Sequence, residues 1–312
     1  MSDAVTRLNK ALAGFAVLAM SVAVASCSAP PEQVALSWKY EEGSQLVYRV
    51  ITSTESVLPR GQGTTVTTQT QTRRLTVQSV AVNGDATIAV TIGDVPEPDF
   101  SMVVGADGRV KSIEGMEQLF GAPPSDAPPE AQAMMAAMFN EELMTSLAQQ
   151  NLQILPRDTV GPDDSWQDSV SVMLVMGPVN TNVTFLLDGI ERRDGRTVAL
   201  VSSTGEVPSE LSGALGDALG AMGDALSDAP GTADGPEALG DAMGVMVGVM
   251  EMMDIDVETM TGTYTFDVDR GVTLTSTTTT AMTMTMPAAG QPMITQMTMT
   301  VSLELMEYVP GG

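Results

Sequence analysis

The side chains that usually carry enzyme chemistry are nearly absent from this chain. Its 312 residues include no histidine, one cysteine and 24 methionines. Because serine and cysteine nucleophiles need an adjacent base, the usual nucleophile and base pairs cannot be assembled. Zinc sites built from cysteine and histidine are excluded by the same count. Paired carboxylates could still run glycoside chemistry, but the few aromatic residues offer little platform for a sugar. We therefore expect a protein that is not an enzyme and that needs no cofactor.

The residues before the single cysteine, Cys27, predict where the chain is targeted. Arg7 and Lys10 precede an apolar stretch from Ala11 to Ala25, an order typical of a secretory signal. The stretch is too short to cross a bilayer comfortably. The run Val24-Ala25-Ser26-Cys27 resembles the lipobox of bacterial lipoproteins.

This resemblance implies cleavage before Cys27 and a thioether-linked diacylglyceryl group on its sulfur. Residues 1–26 are then a lipoprotein signal peptide and residues 27–35 a tether. Several acyl chains hold a protein at a membrane far more durably than one. Ser28 is not the aspartate that retains some lipoproteins at the inner membrane, so the resemblance favours the outer membrane or the cell surface. A plain secretory signal, cleaved after a small residue, is the alternative.

The charge of the chain also restricts its partners. After residue 26 there are 12 basic and 38 acidic residues, because Asp3, Arg7 and Lys10 leave with the signal, which gives a net charge of 12 minus 38, or −26. Nucleic acid is therefore excluded as a partner. An anionic membrane surface should also repel the body of the protein, so the anchor on Cys27 would hold it there. Asp163 and Asp164 could ligate calcium, but a turn into a strand explains them better.

Methionine is the one unusual chemical resource. Met282, Met284 and Met286 alternate with Thr283 and Thr285, which places sulfur on one face of a strand and hydroxyl groups on the other. We interpret these methionines as adaptable core or cavity-lining residues, and we predict no metal site. Thioether ligation of a soft ion such as Cu(I) is a minor alternative.

The remaining chain reads as antiparallel strands arranged in two related units. Strands that alternate apolar and polar residues are joined by short turns such as Asn83-Gly84-Asp85 and Asp194-Gly195, which are typical of hairpins. A tryptophan, a hairpin turn and a closing Asp/Gly hairpin recur in the same order, which favours duplication. We predict a first β unit at 36–128, a helical segment at 129–155, a second β unit at 156–207 that closes at 256–312, and an inserted helical hairpin at 208–255.

The two helical segments carry apolar stripes at helical spacing. We predict that these stripes face the sheet and line a ligand site. The predicted lining residues are Met135, Met138, Phe139, Leu215, Leu219, Met243, Met246 and Met250.

These elements predict an α+β fold: one large, curved antiparallel sheet of about eleven strands, open like half a barrel, with methionine-rich helices on one face. In outline this order is similar to the LolA/LolB and LppX group of lipoprotein carriers, and the resemblance implies an apolar pocket between sheet and helices. We therefore expect a membrane-anchored envelope lipoprotein that binds a lipid or another apolar ligand. A structural or interaction lipoprotein of the envelope, with protein partners that the sequence does not identify, is the alternative.

Overall fold

The computed structural model describes residues 30–59, 63–93, 95, 97–115, 141–149, 152–174, 177–206, 254–286 and 292–312. The chain divides into two compact units, Met1–Pro31 and Glu32–Gly312. Every strand and helix below belongs to the second unit. Cys27 and the predicted signal peptide lie outside the described residues.

The described part of the chain forms a single antiparallel sheet of eleven strands. The elements are β1 (Gln45–Val57), β2 (Thr64–Val80), β3 (Ala86–Ile92), β4 (Phe100–Val104), β5 (Val110–Glu114), α1 (Glu141–Gln149), β6 (Ser165–Leu174), β7 (Gly177–Arg193), β8 (Arg196–Glu206), β9 (Asp254–Asp267), β10 (Val272–Met286) and β11 (Met293–Val309). The spatial order is β5-β4-β3-β2-β1-β11-β10-β9-β8-β7-β6. Strands adjacent in sequence are therefore adjacent in the sheet, except that β5 and β6 form its two opposite edges. The first and last strands pair near its centre.

The two faces of the sheet differ in chemistry because strand residues alternate between them. The core face carries Leu46 and Tyr48 of β1, each about 2% exposed, and Phe266 of β9, which is fully buried. The opposite, threonine face is covered by hydroxyl groups that pair across strands. For example, Thr265 Oγ1 lies 2.7 Å from Thr275 Oγ1.

One end of the core face, which we call the closed end, is crossed by the segment that precedes β1. The Trp38 amide donates to the Ala106 carbonyl at 2.9 Å, and the Lys39 amide donates to the Gly271 carbonyl at 3.2 Å. These bonds tie the segment to the β4–β5 turn and to the β9–β10 turn. The segment thereby covers the core with backbone that is itself hydrogen-bonded, as burial requires.

Residues 152–155 complete the closed end. The Gln153 carbonyl accepts from Trp38 Nε1 at 3.1 Å, and its side-chain Oε1 accepts from Thr273 Oγ1 at 2.7 Å. The Leu155 amide donates to the Asp107 carbonyl at 2.9 Å. The closed end is therefore an apolar core crossed by hydrogen bonds between distant segments, and the hydroxyl of Tyr40 beside it is buried without a hydrogen-bond partner.

Helix α1 packs against β5, β6 and β7, and so it contacts both edges of the sheet. Gln149 at its last residue donates to the Gly108 carbonyl at 2.9 Å and accepts from the Val110 amide at 2.8 Å. An ion pair between Arg109, in the β4–β5 turn, and Asp168 of β6 spans the same gap. The sheet therefore curves until its two edges meet one helix. No described helix is long and apolar enough to cross a membrane.

The structure confirms the predicted fold class, an open curved antiparallel sheet of about eleven strands. One boundary differs: the sequence predicts that the first β unit begins at residue 36, but its first strand, β1, begins at Gln45. Leu36 is buried, but the backbone around it pairs with turns rather than with a strand. The predicted helical hairpin at 208–255 lies almost wholly outside the described residues, and the domain boundaries stay a prediction.

Candidate functional site

The ligand-lining residues predicted from the sequence all lie outside the described residues. They are Met135, Met138, Phe139, Leu215, Leu219, Met243, Met246 and Met250. Met144 of α1 lies within the predicted helical segment at 129–155 and is described, and it is buried against the core. The candidate site is therefore built from the sheet, which the prediction treated as the opposite wall.

The central strands carry an apolar column on the core face. Val50 of β1 lies opposite Leu303 of β11, and the positions that follow on the same face of β11 are Val301, Met299 and Met297. Residues opposite each other on antiparallel strands share a face. Since Met282 of β10 lies opposite Met297, the column widens into a patch. We call Leu303, Val301, Met299, Met297, Met282 and Met284 the methionine strip.

The methionine strip is only half covered, although it lies in the middle of the sheet. Leu303, Val301, Met299 and Met297 are all half-buried, and so is Met284. Nearer the closed end, Tyr48 and Val50 of the neighbouring strand β1 are only 2% and 4% exposed. A core-facing apolar run on central strands should be the most buried part of a sheet, so its partial exposure marks a surface suited to apolar contacts.

An aromatic cluster borders the strip on the second half of the sheet. Trp166 of β6 stacks on Phe185 of β7 with ring centroids 5.4 Å apart. Phe185 meets Tyr264 of β9 edge to face at 6.4 Å. Between this cluster and Met260 the core face carries Gly262. The cluster thus forms an apolar wall beside a stretch of sheet without a side chain.

Polar atoms are buried in this region without partners. The Tyr264 hydroxyl and the Trp166 Nε1 have no hydrogen-bond partner, and neither does the Thr181 hydroxyl. Burial raises the pKa of the Tyr264 hydroxyl above its ordinary value, so it is a neutral donor at physiological pH. Unsatisfied buried donors are uncommon in folded proteins and need an explanation.

A charged residue also lies on the core face. Arg73 of β2 lies opposite the buried Tyr48, and its Nε and Nη1 are buried without a hydrogen-bond partner. Burial lowers the pKa of the Arg73 guanidinium, yet a guanidinium stays charged in proteins. The next residue, Arg74, is exposed on the threonine face. A half-buried, unpaired positive charge therefore stands at the edge of the apolar strip.

The acidic residues considered as ligands have structural roles. The Asp164 carboxylate accepts from the Gly161 amide at 2.7 Å, and Asp163 adopts a positive φ of 70°, so both residues shape the turn into β6. In the part of the chain that the structure describes, no group of three or more acidic, histidine or cysteine residues could hold a metal ion. Copper binding by Met282 and Met284 remains a prediction, although both belong to the methionine strip.

Sequence reasoning found the methionines of β10 but missed Arg73 and the aromatic cluster. One signal was available, because Arg73, Leu75 and Val77 alternate in β2 and the last two are obvious core residues. The cluster could not be predicted, since Phe185 and Tyr264 are 79 residues apart and meet only through the pairing of β8 with β7 and β9. Cys27 lies outside the described residues, so its lipidation stays a prediction.

The fold and the half-covered strip define a protein class: an open, curved antiparallel sheet with one hydroxyl-rich face and a core face that is apolar at the closed end and carries the methionine strip between threonine and serine residues of β1 and β10. The chain belongs to the DUF6263 family, a family of unknown function, whose model matches residues 62–217, half of the chain. A comparison with curated proteins found no match.

Solved structures give only distant likenesses. A structure described as lipid-protein interactions in lipovitellin is 11% identical with a TM-score of 0.41, and the match covers 88% of this chain but 26% of that one. A loop-deletion mutant of OmpT, an outer membrane protein of Vibrio cholerae, is 8% identical with a TM-score of 0.19, covering 86% and 100%. The ywiB protein of Bacillus subtilis is 7% identical with a TM-score of 0.15, covering 84% and 94%. None of these likenesses carries the functional argument, which rests on the core face itself.

Proposed function

We propose that this protein is a membrane-anchored envelope lipoprotein that holds a lipid or another apolar molecule on the core face of its sheet. The observation that carries the proposal is the half-burial of the methionine strip on the two central strands. Methionine suits this role because its unbranched, polarisable side chain adapts to ligands of different shape.

The energetics support a ligand at this surface. Each Å² of apolar surface that a ligand covers contributes roughly 25 cal/mol. The strip offers four such side chains in a row on β11 alone. Met282 of the strip and the neighbouring Met260 are already buried at 4% and 9% exposure, so a ligand would extend an existing core rather than start a new one. A linear apolar molecule laid along β11 would fit this shape.

The proposal keeps the anchor and the non-catalytic role that the sequence predicts. A lipidated Cys27 would hold the protein at the envelope membrane, with the outer membrane or cell surface favoured over the inner membrane. The chain has no histidine and carries a net charge of −25, which supports a binding role without catalysis or nucleic acid. The sheet alone would carry the ligand, whatever its protein partners are.

The first experiment compares two substitutions on one strand. Val301→Asp places a carboxylate in the strip, whereas Thr300→Asp places the same group on the threonine face. We expect titration with the neutral apolar fluorophore N-phenyl-1-naphthylamine to show at least about tenfold weaker binding for Val301→Asp, because a charge in apolar contact is costly. Binding by Thr300→Asp should stay within about twofold of wild type. Thermal unfolding of both variants checks that the sheet is intact.

Native mass spectrometry of the soluble form that begins at Ser28 gives an independent test. Gently purified protein should carry an apolar mass that organic extraction removes. If the wild-type protein carries no such mass and does not bind the fluorophore, the carrier hypothesis is wrong. The structural or interaction lipoprotein is then the better description.

A further inference from the structure

The unpaired buried donors on the core face suggest what kind of ligand the strip binds. Arg73 Nε and Nη1, the Tyr264 hydroxyl and Trp166 Nε1 are all donors, and none has a hydrogen-bond partner. Leaving a buried donor unpaired is unfavourable, and more so when the donor is charged. The guanidinium and the indole N–H can only donate, and the tyrosine hydroxyl can also donate, so these groups suit a ligand that accepts.

Arg73 and Tyr264 lie at similar heights on the sheet. Tyr264 is in register with Ser276, which is in register with Leu303. Leu303 is in register with Val50, and Val50 with Gln71. Tyr264 is thus level with Gln71, two residues from Arg73 along β2. Tyr264 therefore lies near the level of Arg73 but four strands away from it in the sheet order, at the same level as Leu303 of the methionine strip.

No acid neutralises Arg73 among the described residues. The ion pairs of the described chain involve seven other combinations, and Arg73 appears in none of them. Other arginines in this acidic protein do find carboxylates: Arg196, for example, lies 2.9 Å from the buried Asp267. In a chain with 39 acidic residues and 14 basic ones, a half-buried arginine without an acid among the described residues suits a ligand that supplies an anion.

We infer that the ligand is an acyl-chain amphiphile with an anionic head group, which Arg73 binds while the chain lies along the methionine strip. This inference rests on the proposed function and adds the head group. A guanidinium presents a planar fork of donors that matches a carboxylate or a phosphate. Tyr264 and Trp166 lie four and seven strands away from β2 in the sheet order, so the head group is assigned to Arg73 alone.

The dimensions of the sheet fit this arrangement. From Tyr48, opposite Arg73, to Thr54, opposite Met299, there are six residues, or about 20 Å at roughly 3.3 Å per residue. The hydrocarbon of one membrane leaflet is about 15 Å thick, half of a bilayer core of about 30 Å. An acyl chain whose head group binds Arg73 therefore covers Leu303 and Val301 and extends toward Met299. β2 and β11 are separated only by β1, about 10 Å in all.

The test separates head group from chain with two probes, oleate and oleyl alcohol, which have the same hydrocarbon chain. Binding to the mature soluble protein is measured by displacement of N-phenyl-1-naphthylamine. Arg73→Met keeps an unbranched apolar stem and removes the guanidinium with its charge, and Arg74→Met removes an exposed charge from the neighbouring residue. Free acetate and inorganic phosphate serve as head groups without a chain.

We expect the wild type to bind oleate more tightly than oleyl alcohol, and Arg73→Met to weaken oleate at least about tenfold, because hydrogen bonds to charged groups are strong. Oleyl alcohol should bind Arg73→Met as it binds the wild type, and Arg74→Met should change neither probe. Acetate and phosphate should not displace the fluorophore.

Two results would contradict the inference in different ways. If oleate binds the wild type and Arg73→Met equally, the face takes apolar chains but Arg73 does not recognise a head group, so only this inference is wrong. If neither oleate nor oleyl alcohol binds the wild type, the proposed function itself is wrong. Displacement by free phosphate, weakened by Arg73→Met, would assign the site to a small anion instead of a lipid.

Discussion

At the scale of the residue, Arg73 is expected to lower the stability of the protein while contributing to ligand binding. A positive charge half-buried on an apolar face and without a partner lowers the stability of the unliganded protein, since the guanidinium loses water and gains no carboxylate. We therefore predict that Arg73→Met raises the free energy of unfolding by about 1–2 kcal/mol in protein freed of ligand. Equilibrium denaturation in urea measures this change.

Arg74→Met is the matched control for this prediction. Arg74 is exposed on the threonine face, and exposed substitutions away from special features usually stay within about 0.5 kcal/mol. A loss of stability in Arg73→Met would contradict the prediction, because it would show that the guanidinium supports the fold. A gain in stability together with weaker oleate binding would mark Arg73 as a residue kept for its ligand.

The residue scale also shows why the sequence did not predict this site. Thr64 to Gln71 of β2 are all exposed, and threonine occupies both faces there, so alternation gives no sign of which face is apolar. The pattern becomes clear only at Leu75 and Val77, which are buried. Arg73 belongs to the core face because it shares their parity, yet a charged residue beside exposed threonines looks like part of a solvent-facing strand.

At the scale of the element, two turn glycines test how the closed end is held. Both Gly84 and Gly108 have positive φ, at 86° and 82°. An added Cβ at Gly84 meets nothing within 4 Å, whereas at Gly108 it would lie 2.1 Å from the Gln153 carbonyl oxygen and 2.7 Å from Trp38 Nε1. The two positions therefore share backbone strain but differ in crowding.

We predict that Gly84→Ala lowers the free energy of unfolding by about 1–2 kcal/mol, the usual cost of a left-handed conformation for an L residue. Gly108→Ala should cost more than about 3 kcal/mol, because the Gln153 backbone must move and the hydrogen bond from Trp38 is lost. Urea denaturation of both variants measures the two losses in the free energy of unfolding. Equal losses would mean that the Gln153 segment does not hold the closed end.

Local patterns predicted the elements of this fold well where neighbours in sequence are neighbours in space. The hairpin at Asn83-Gly84-Asp85 joins β2 to β3, and the Asn83 side chain accepts from the Asp85 amide at 3.2 Å, as expected for such a turn. Prediction failed at Leu36, whose neighbourhood is extended and buried but pairs with turns. Alternation indicates burial of one face and cannot tell a strand from an extended segment that crosses the end of a sheet.

At the scale of the whole molecule, the pairing of β1 with β11 decides where the apolar face lies. These strands come from opposite ends of the described chain, and their register from Gln45 with Val309 to Val57 with Gln296 is broken by one irregularity. No local pattern predicts such a contact, because it depends on how both halves of the chain curve. The same pairing places the β11 residues of the methionine strip at the centre of the sheet. The sequence predicted an alternating methionine face on β10 alone, whereas the strip includes residues of both β10 and β11.

The anchor is the last prediction, and it concerns the molecule as a whole. With a net charge of −25, the protein should be repelled by anionic membrane surfaces, so stable membrane association must come from lipid on Cys27. We expect the full-length chain, expressed in a bacterium, to stay in the membrane fraction through a high-salt wash. Cys27→Ser should move it to the soluble fraction, and mass spectrometry of the wild type should show a diacylglyceryl-modified Cys27 at the N-terminus.

Ser28→Asp provides a variant that keeps the lipid anchor and changes only the membrane in which the protein is expected to reside. If the lipobox resemblance holds, the aspartate should shift the protein from the outer to the inner membrane without releasing it, since the acyl chains are unchanged. An unmodified Cys27, or cleavage at another residue, would contradict the anchor.

The sheet could still bind its amphiphile in that case, because the methionine strip and Arg73 belong to the compact unit Glu32–Gly312. Anchoring and ligand binding are therefore separable, and a soluble form that begins at Ser28 should bind oleate as tightly as the anchored protein does.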